Sequence, residues 1–335
     1  MSASGSRGRG RWLAALAVML SAACGGGGGA PTGPQSPPPD PGFTVRAVVF
    51  YDENGSGVLD GAEPIRVPDV EVTVGGRSGR SAKGTGQAQV TGVPAGTFPL
   101  ALRGDTLPPF FIAGPSPSVT VPTADGTTVA LSVTLPIGGN QPNVYMAFGD
   151  SLTAGDGLPA TLAWPARLEV LLQQHFGGAV VRNRGATGTN TFEALERLQR
   201  NLANNEPAYT MILYGTNDWN DLECQDNPDC HTVPNLRTVV RRVKAFRSLV
   251  FIGTLPPVNP ALTPAGRNEW VAAVNGRIRV MAREEGAFLV DLHATFMRQP
   301  NLPPLYIDHV HLSQAGHDLA STAWFEAIAH GRSEP

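Results

Sequence analysis

The chain has 335 residues, 41% of them apolar, and a formal charge of −3. That is enough material for two domains with cores of their own, and too hydrophobic for a disordered chain. No long basic stripe is present, so nucleic acid is not an expected partner.

The first segment in chain order reads as a targeting signal. Arg7, Arg9 and Arg11 form a basic region, and Trp12 to Leu20 is an apolar stretch too short to span a bilayer. The small residues Ser21-Ala22-Ala23 precede Cys24. This resembles a bacterial lipoprotein signal, with Ser21 standing where leucine is most usual. The resemblance implies that residues 1–23 are removed and Cys24 is acylated, which would tether the protein to a membrane surface in an extracytoplasmic compartment. A plain secretory signal cut near Ala23 is the other reading. Residues 24–42 are Gly/Pro-rich, have no apolar period and read as a tether.

Residues 43–136 read as all-β. Thr44–Tyr51 is strand-like, and Val70–Val74 and Val129–Leu135 alternate apolar with polar. Gly75-Gly76, Gly84, Pro94-Ala95-Gly96 and Asp125-Gly126 supply turns between strands. A small sandwich buries one face of each such strand. Within this region, Asp52 to Glu63 carries side-chain oxygens at Asp52, Asn54, Ser56, Asp60 and Glu63, a backbone carbonyl at Val58 and a glycine at Gly57. These are positions one, three, five, nine, twelve, seven and six of an EF-hand loop, a hard-oxygen set suited to calcium. The flanking strands rule out an EF-hand proper. The region is similar to the calcium-binding B-type repeats of bacterial surface adhesins, which are prealbumin-like sandwiches. That resemblance implies a structural Ca2+ and a spacer role; carbohydrate or protein binding, and an acidic hairpin without metal, stay open.

Residues 143–332 change character. Apolar strand candidates Val144–Phe148, Ala179–Arg182, Thr210–Tyr214, Leu249–Gly253 and Ala287–Asp291 alternate with helical patterns. The helices are expected at Leu162–Phe176, Thr191–Leu202, Val233–Phe246, Glu269–Glu285 and Ser313–His330. Alternation of this kind means parallel pairing and a three-layer α/β domain, whose sites form at the carboxyl ends of the strands.

Four motifs fall just after strand candidates. Gly149-Asp150-Ser151-Leu152 offers a nucleophile, and His311 in Asp308-His309-Val310-His311 offers its base. Asp308 is placed to orient His311. The Ser151 and Gly188 backbone N–H groups and the Asn217 side-chain amide, in Gly215-Thr216-Asn217-Asp218, can serve an oxyanion. His309 and His317 read as solvated or helix-packed. Asp150, Asp156 and Asp218 read as loop-formers.

From about Val144 to His330 the chain resembles the SGNH, or GDSL, hydrolases, through Ser151, Gly188, Asn217 and His311 with Asp308 before it. Trp164-Pro165-Ala166-Arg167-Leu168 fits the same family. The resemblance implies a flavodoxin-like parallel sheet and a serine esterase that works through an acyl-serine without a catalytic cofactor. Substrates would be acetylated carbohydrate, lysophospholipid or short-chain acyl esters, selected by loops such as Asp218–Val233 and Leu255–Arg267, with the protein acting as a monomer. The competing reading is a surface-binding or adhesion protein whose α/β domain is inert. Cys224 and Cys230, in an oxidising compartment, are expected to form a disulfide.

Overall fold

The computed structural model describes residues 42–225 and 227–333. The expected signal, Cys24 and the tether up to residue 41 lie outside the described residues.

The catalytic-type motifs sit on a five-stranded, wholly parallel sheet. Its strands are β10 (Gln141–Gly149), β11 (Val180–Gly185), β12 (Pro207–Leu213), β13 (Leu249–Gly253) and β14 (Phe288–Val290), in the order β11-β10-β12-β13-β14. Every residue of β12 and β13 is buried, as expected of strands covered by helices on both faces. On one face lie α2 (Trp164–Phe176), α6 (Leu292–Met297) and α7 (Gln314–His330); on the other lie α3 (Thr191–Asn205), α4 (Thr232–Ala245) and α5 (Ala265–Glu285). Two separate apolar clusters record these layers. Tyr145, Met211 and Phe251 point to the first, Phe148, Ile212 and Ile252 to the second.

Local chemistry fixes the helix ends. Asn190 and Glu193 make a reciprocal capping box at α3, Ser313 caps α7, and α2 has proline in its first turn. Two short helices are absent from the sequence expectations: α1 (Ser151–Ala154) and α6. Neither is long enough to show a helical period.

Ahead of the sheet lie nine short strands: β1 (Phe43–Tyr51), β2 (Glu71–Val74), β3 (Arg77–Arg80), β4 (Gln87–Val93), β5 (Gly96–Pro99), β6 (Ala101–Leu102), β7 (Ile112–Ala113), β8 (Ser118–Val121) and β9 (Thr128–Thr134). They form sheets β4-β1-β9-β7, β3-β2-β6 and β5-β8. Val45, Val49, Val90 and Leu131 from the first share one core with Val72 and Val74 from the second.

Composition draws a boundary between residues 136 and 143, but the packing crosses it. Tyr51, Ile65, Leu135 and Ile137 join the apolar cluster of α2 and α7. Phe111 stacks on Phe176, and Phe110 meets Phe251 edge-on at 5.6 Å. Backbone bonds run from Arg66 N–H to the Phe176 carbonyl and from Gly84 N–H to the His175 carbonyl, both at 3.0 Å. These contacts gather where α2 ends and β13 begins. The β region therefore sits at the amino-terminal edge of the parallel sheet, away from the carboxyl ends.

Candidate active site

Register builds the site. Gly149 of β10 lies level with Gly185 of β11 and Leu213 of β12, so three loops leave the sheet at one height. A side chain at Gly149 would put its Cβ 2.5 Å from the Leu213 carbonyl oxygen, so the strands can run this close only with glycine there. The chain then turns into α1. Asp150 caps it, accepting from Leu152 N–H at 2.9 Å, and this presents Ser151 at the sheet edge.

The structure brings Ser151, His311 and Asp308 together. His311 Nε2 lies 3.1 Å from Ser151 Oγ, and His311 Nδ1 lies 2.7 Å from Asp308 Oδ2. The other Asp308 oxygen accepts the backbone N–H groups of Val310 and His311. Burial pushes the Asp308 carboxyl up, but these hydrogen bonds outweigh it and bring the group down to about 2. Asp308 is therefore ionised at all ordinary pH, and the tautomer it favours has the proton on His311 Nδ1 and the lone pair on Nε2.

Gly188 and Asn217 sit on the two neighbouring loops. Gly188 takes φ +74°, a conformation suited to glycine. Asn217 Nδ2 donates to the Thr189 carbonyl at 3.0 Å, which fixes the amide plane and leaves its second N–H to point elsewhere. The same loops are joined twice more. Thr191 Oγ1 donates to Asp218 at 2.5 Å, and Asn190 Nδ2 donates to Asp221 at 3.2 Å. Asp156 accepts from Thr187 Oγ1 at 2.9 Å, bracing the glycine loop from the other side.

Cys224 and Cys230 are joined by a disulfide, with Cα atoms 5.2 Å apart. Next to it, His231 Nε2 lies 3.0 Å from Asp218 and 3.3 Å from Asp221. Asp218 therefore structures its loop. His317 is buried, its Nδ1 accepting from Trp164 N–H at 3.1 Å, and His309 is half exposed.

Asn259 is a residue the sequence reading missed. Its side chain donates to the Asp308 carbonyl and its backbone N–H donates to the His309 carbonyl, both at 3.0 Å. An Asn-Pro pair marks a turn, which was the available signal, but nothing local ties it to a segment 49 residues later.

The loop expected to hold calcium has oxygen donors throughout. Asp52 and Glu63 are buried, at 5% and 2% exposure. Asp52 accepts from Ser56 and Gly57 N–H, Glu63 from Glu53 and Asp60 N–H, and Asn54 Nδ2 bonds Asp60. Each carboxylate oxygen keeps a further lone pair, so the donor set fits a hard cation.

A hydrogen-bonded serine, histidine and aspartate at the carboxyl edge of a parallel sheet define a serine hydrolase. A sequence model of the GDSL-like lipase/acylhydrolase family matches residues 147–319, just over half of the chain. The chain belongs to this family and is a hydrolase of carboxylic ester bonds. Among solved structures it is similar to an acetylxylan esterase from Geobacillus stearothermophilus, at 20% identity over 58% of this chain and 98% of that one, with a TM-score of 0.50. It is also similar to a lipase/acylhydrolase from Enterococcus faecalis, at 20% identity over 56% and 95%, with a TM-score of 0.48. At such identity the likeness is one of fold. A comparison with curated proteins finds no match.

Burial pushes the Asp150 carboxyl from 3.8 up to about 7, and its Oδ2 has no hydrogen-bond partner. Between these values the unfolded chain ionises while the folded chain keeps its proton. Stability from this group is full below 3.8 and is lost as pH rises through about 7. Asparagine carries no such proton. Asp150→Asn should therefore gain melting temperature relative to wild type as pH rises from about 4 to about 7, and the gain should level off above. Thermal melts across that range check this, and a difference independent of pH would remove Asp150 as a buried acid.

Proposed function

We propose that the protein is a lipid-anchored, extracytoplasmic serine esterase acting as a monomer through an acyl-Ser151 intermediate. The observation that carries this reading is the continuous relay from Asp308 through His311 to Ser151, at 2.7 and 3.1 Å. His311 Nε2 takes the Ser151 proton as Oγ bonds to the ester carbonyl carbon. Negative charge on the carbonyl oxygen is met by the Ser151 and Gly188 N–H groups and the Asn217 amide. His311 returns the proton to the departing alcohol. Water, deprotonated by the same nitrogen, then releases the acid. These groups complete both half-reactions. Ser151→Ala and His311→Ala should each lose most turnover while folding normally; Asn217→Ala should lose about 100- to 1,000-fold in kcat. An ester panel graded in acyl length and leaving group, including lysophospholipid and acetylated xylan, reads the substrate class. Near-normal turnover by folded Ser151→Ala would overturn the mechanism.

The anchor rests on the basic, apolar and small-residue pattern before Cys24. Cys24→Ala should release the protein from membranes and leave soluble-ester turnover unchanged. Metabolic labelling with a fatty-acid analogue is the direct check: wild-type protein that takes up no label is not acylated.

Calcium in the 52–63 loop is supported by its crowding of Asp52, Glu53, Asp60 and Glu63, whose mutual repulsion a dication relieves. The ion's part is structural. With calcium in excess the melting temperature should rise above that in a calcium-selective chelator, while turnover changes little. Calorimetry showing one melting temperature in both conditions would count against the site.

A further inference from the structure

Three residues from three different elements converge where the β region meets the hydrolase. Asp69 comes from the loop before β2, His175 from the last turn of α2 and His330 from the end of α7. One ligand atom from each lies within 4.8 Å of the other two.

His175 is the anomaly. It is 2% exposed, and neither ring nitrogen has a hydrogen-bond partner. An imidazole always carries at least one N–H or lone pair that wants one, and leaving it unmet in a buried place is costly. Phe176 and Phe325 press edge-on against its ring at 4.6 and 5.3 Å and offer no lone pair. His330 is oriented from behind. Its Nδ1 lies 2.9 Å from Glu326, which turns Nε2 toward Asp69. That Nε2 stands 3.7 Å from Asp69 Oδ2, too far for a hydrogen bond. It is close to the separation of about 3.3 Å between two ligands of one tetrahedral zinc, given bonds of about 2.0–2.1 Å. A carboxylate behind a histidine with its second nitrogen presented is the usual support for a metal-bound imidazole. The cations nearby include Lys83, Arg332 and Arg80. Arg332 is itself paired with Glu326, and Arg80 donates to the Asp69 backbone carbonyl at 2.7 Å, not to its carboxylate. Asp69 is 40% exposed, which gives an ion a way in and leaves a fourth position for water.

We propose that Asp69, His175 and His330 bind one zinc-class cation, which clips the β region to the hydrolase. The donor set of two imidazoles and one carboxylate suits borderline metals and not calcium, so this site is separate from the 52–63 loop. It also lies at the opposite edge of the sheet from Ser151, since α2 and α7 both start near the catalytic loops and end at the β region. Its role is structural.

The test uses the full chain, stripped of metal and titrated with zinc by calorimetry while calcium is held in excess. Cobalt(II) substitutes for zinc in a parallel absorption measurement. Wild type should bind one equivalent, and its melting temperature should climb with zinc concentration, because the ion binds the folded state alone. Asp69→Asn and His330→Gln should lose the site. Glu326→Gln, which leaves all three ligands in place, should weaken it by about 10- to 100-fold. His231→Gln probes the other histidine-carboxylate cluster, at Asp218 and Asp221, and should bind as wild type does. The proposal is overturned if wild type shows no saturable binding. It is equally overturned if binding survives both Asp69→Asn and Glu326→Gln unchanged, or disappears in His231→Gln.

Discussion

One contact governs the hydrolase: His311 Nε2 must reach Ser151 Oγ from 160 residues away, and does so at 3.1 Å. A chain closure of that length is entropically costly, so it depends on rigid elements at both ends. At the serine end the rigid element is the register of β10, which places Gly149 level with its neighbours and sends α1 upward. At the histidine end it is a pinned turn. Tyr306 and Leu312 pair across it, Ile307 N–H bonds the His311 carbonyl, and Asn259 holds the carbonyls of Asp308 and His309. The Tyr306 hydroxyl donates to the Pro257 carbonyl beside Asn259. The segment after β13 thus positions His311 through the backbone of Asp308 and His309, without bonding to its ring.

What was legible in the sequence follows from this division. The central strands could be read because β12 and β13 are buried apolar runs, and β13 falls on the expected residues Leu249–Gly253. At the sheet edge, β11 carries Arg182, Asn183 and Arg184 and has no fully buried residue. Ser151 could be read from residue type and its place directly after β10. Asp308 and His311 could be read from residue type and family resemblance, but not from a place directly after a strand, because α6 and the turn Pro303–Leu305 separate them from β14. Asn259 could not, because its role exists only once two distant segments are packed together. The same holds for His175 and His330, which look like ordinary helix residues until α2 and α7 meet Asp69. The β region was legible as strands, but its fusion to the sheet was not. Tyr51, Ile65 and Phe111 look like residues of the sandwich core, yet they pack against the layer containing Phe176.

Beneath Ser151 and Asn217 the protein accepts an electrostatic burden. Asp150 and Asp218 are both almost fully buried, and burial pushes their carboxyls up to about 7 and about 6. Groups so placed are unfavourable for stability alone. They remain useful because each organises backbone that faces the reaction: Asp150 caps α1, and Asp218 ties its own loop to Thr191. His231 offsets part of the Asp218 burden, and the Cys224–Cys230 disulfide beside it fixes where that imidazole stands. Asn217, one residue before Asp218, thus inherits its position from a network that includes the disulfide loop.

The β region then sets how the site is presented. Tyr51, at the end of β1, packs with the hydrolase, whereas Phe43 at its start pairs with Val93 at the far end. Eight strand steps separate them, about 26 Å at the usual rise of about 3.3 Å per residue. The chain therefore enters the β region remote from the parallel sheet, and the sheet in turn carries Ser151 on its opposite edge. Within residues 42–333, Ser151 and the start of β1 therefore lie at opposite ends, with the packing of Tyr51 against the hydrolase between them.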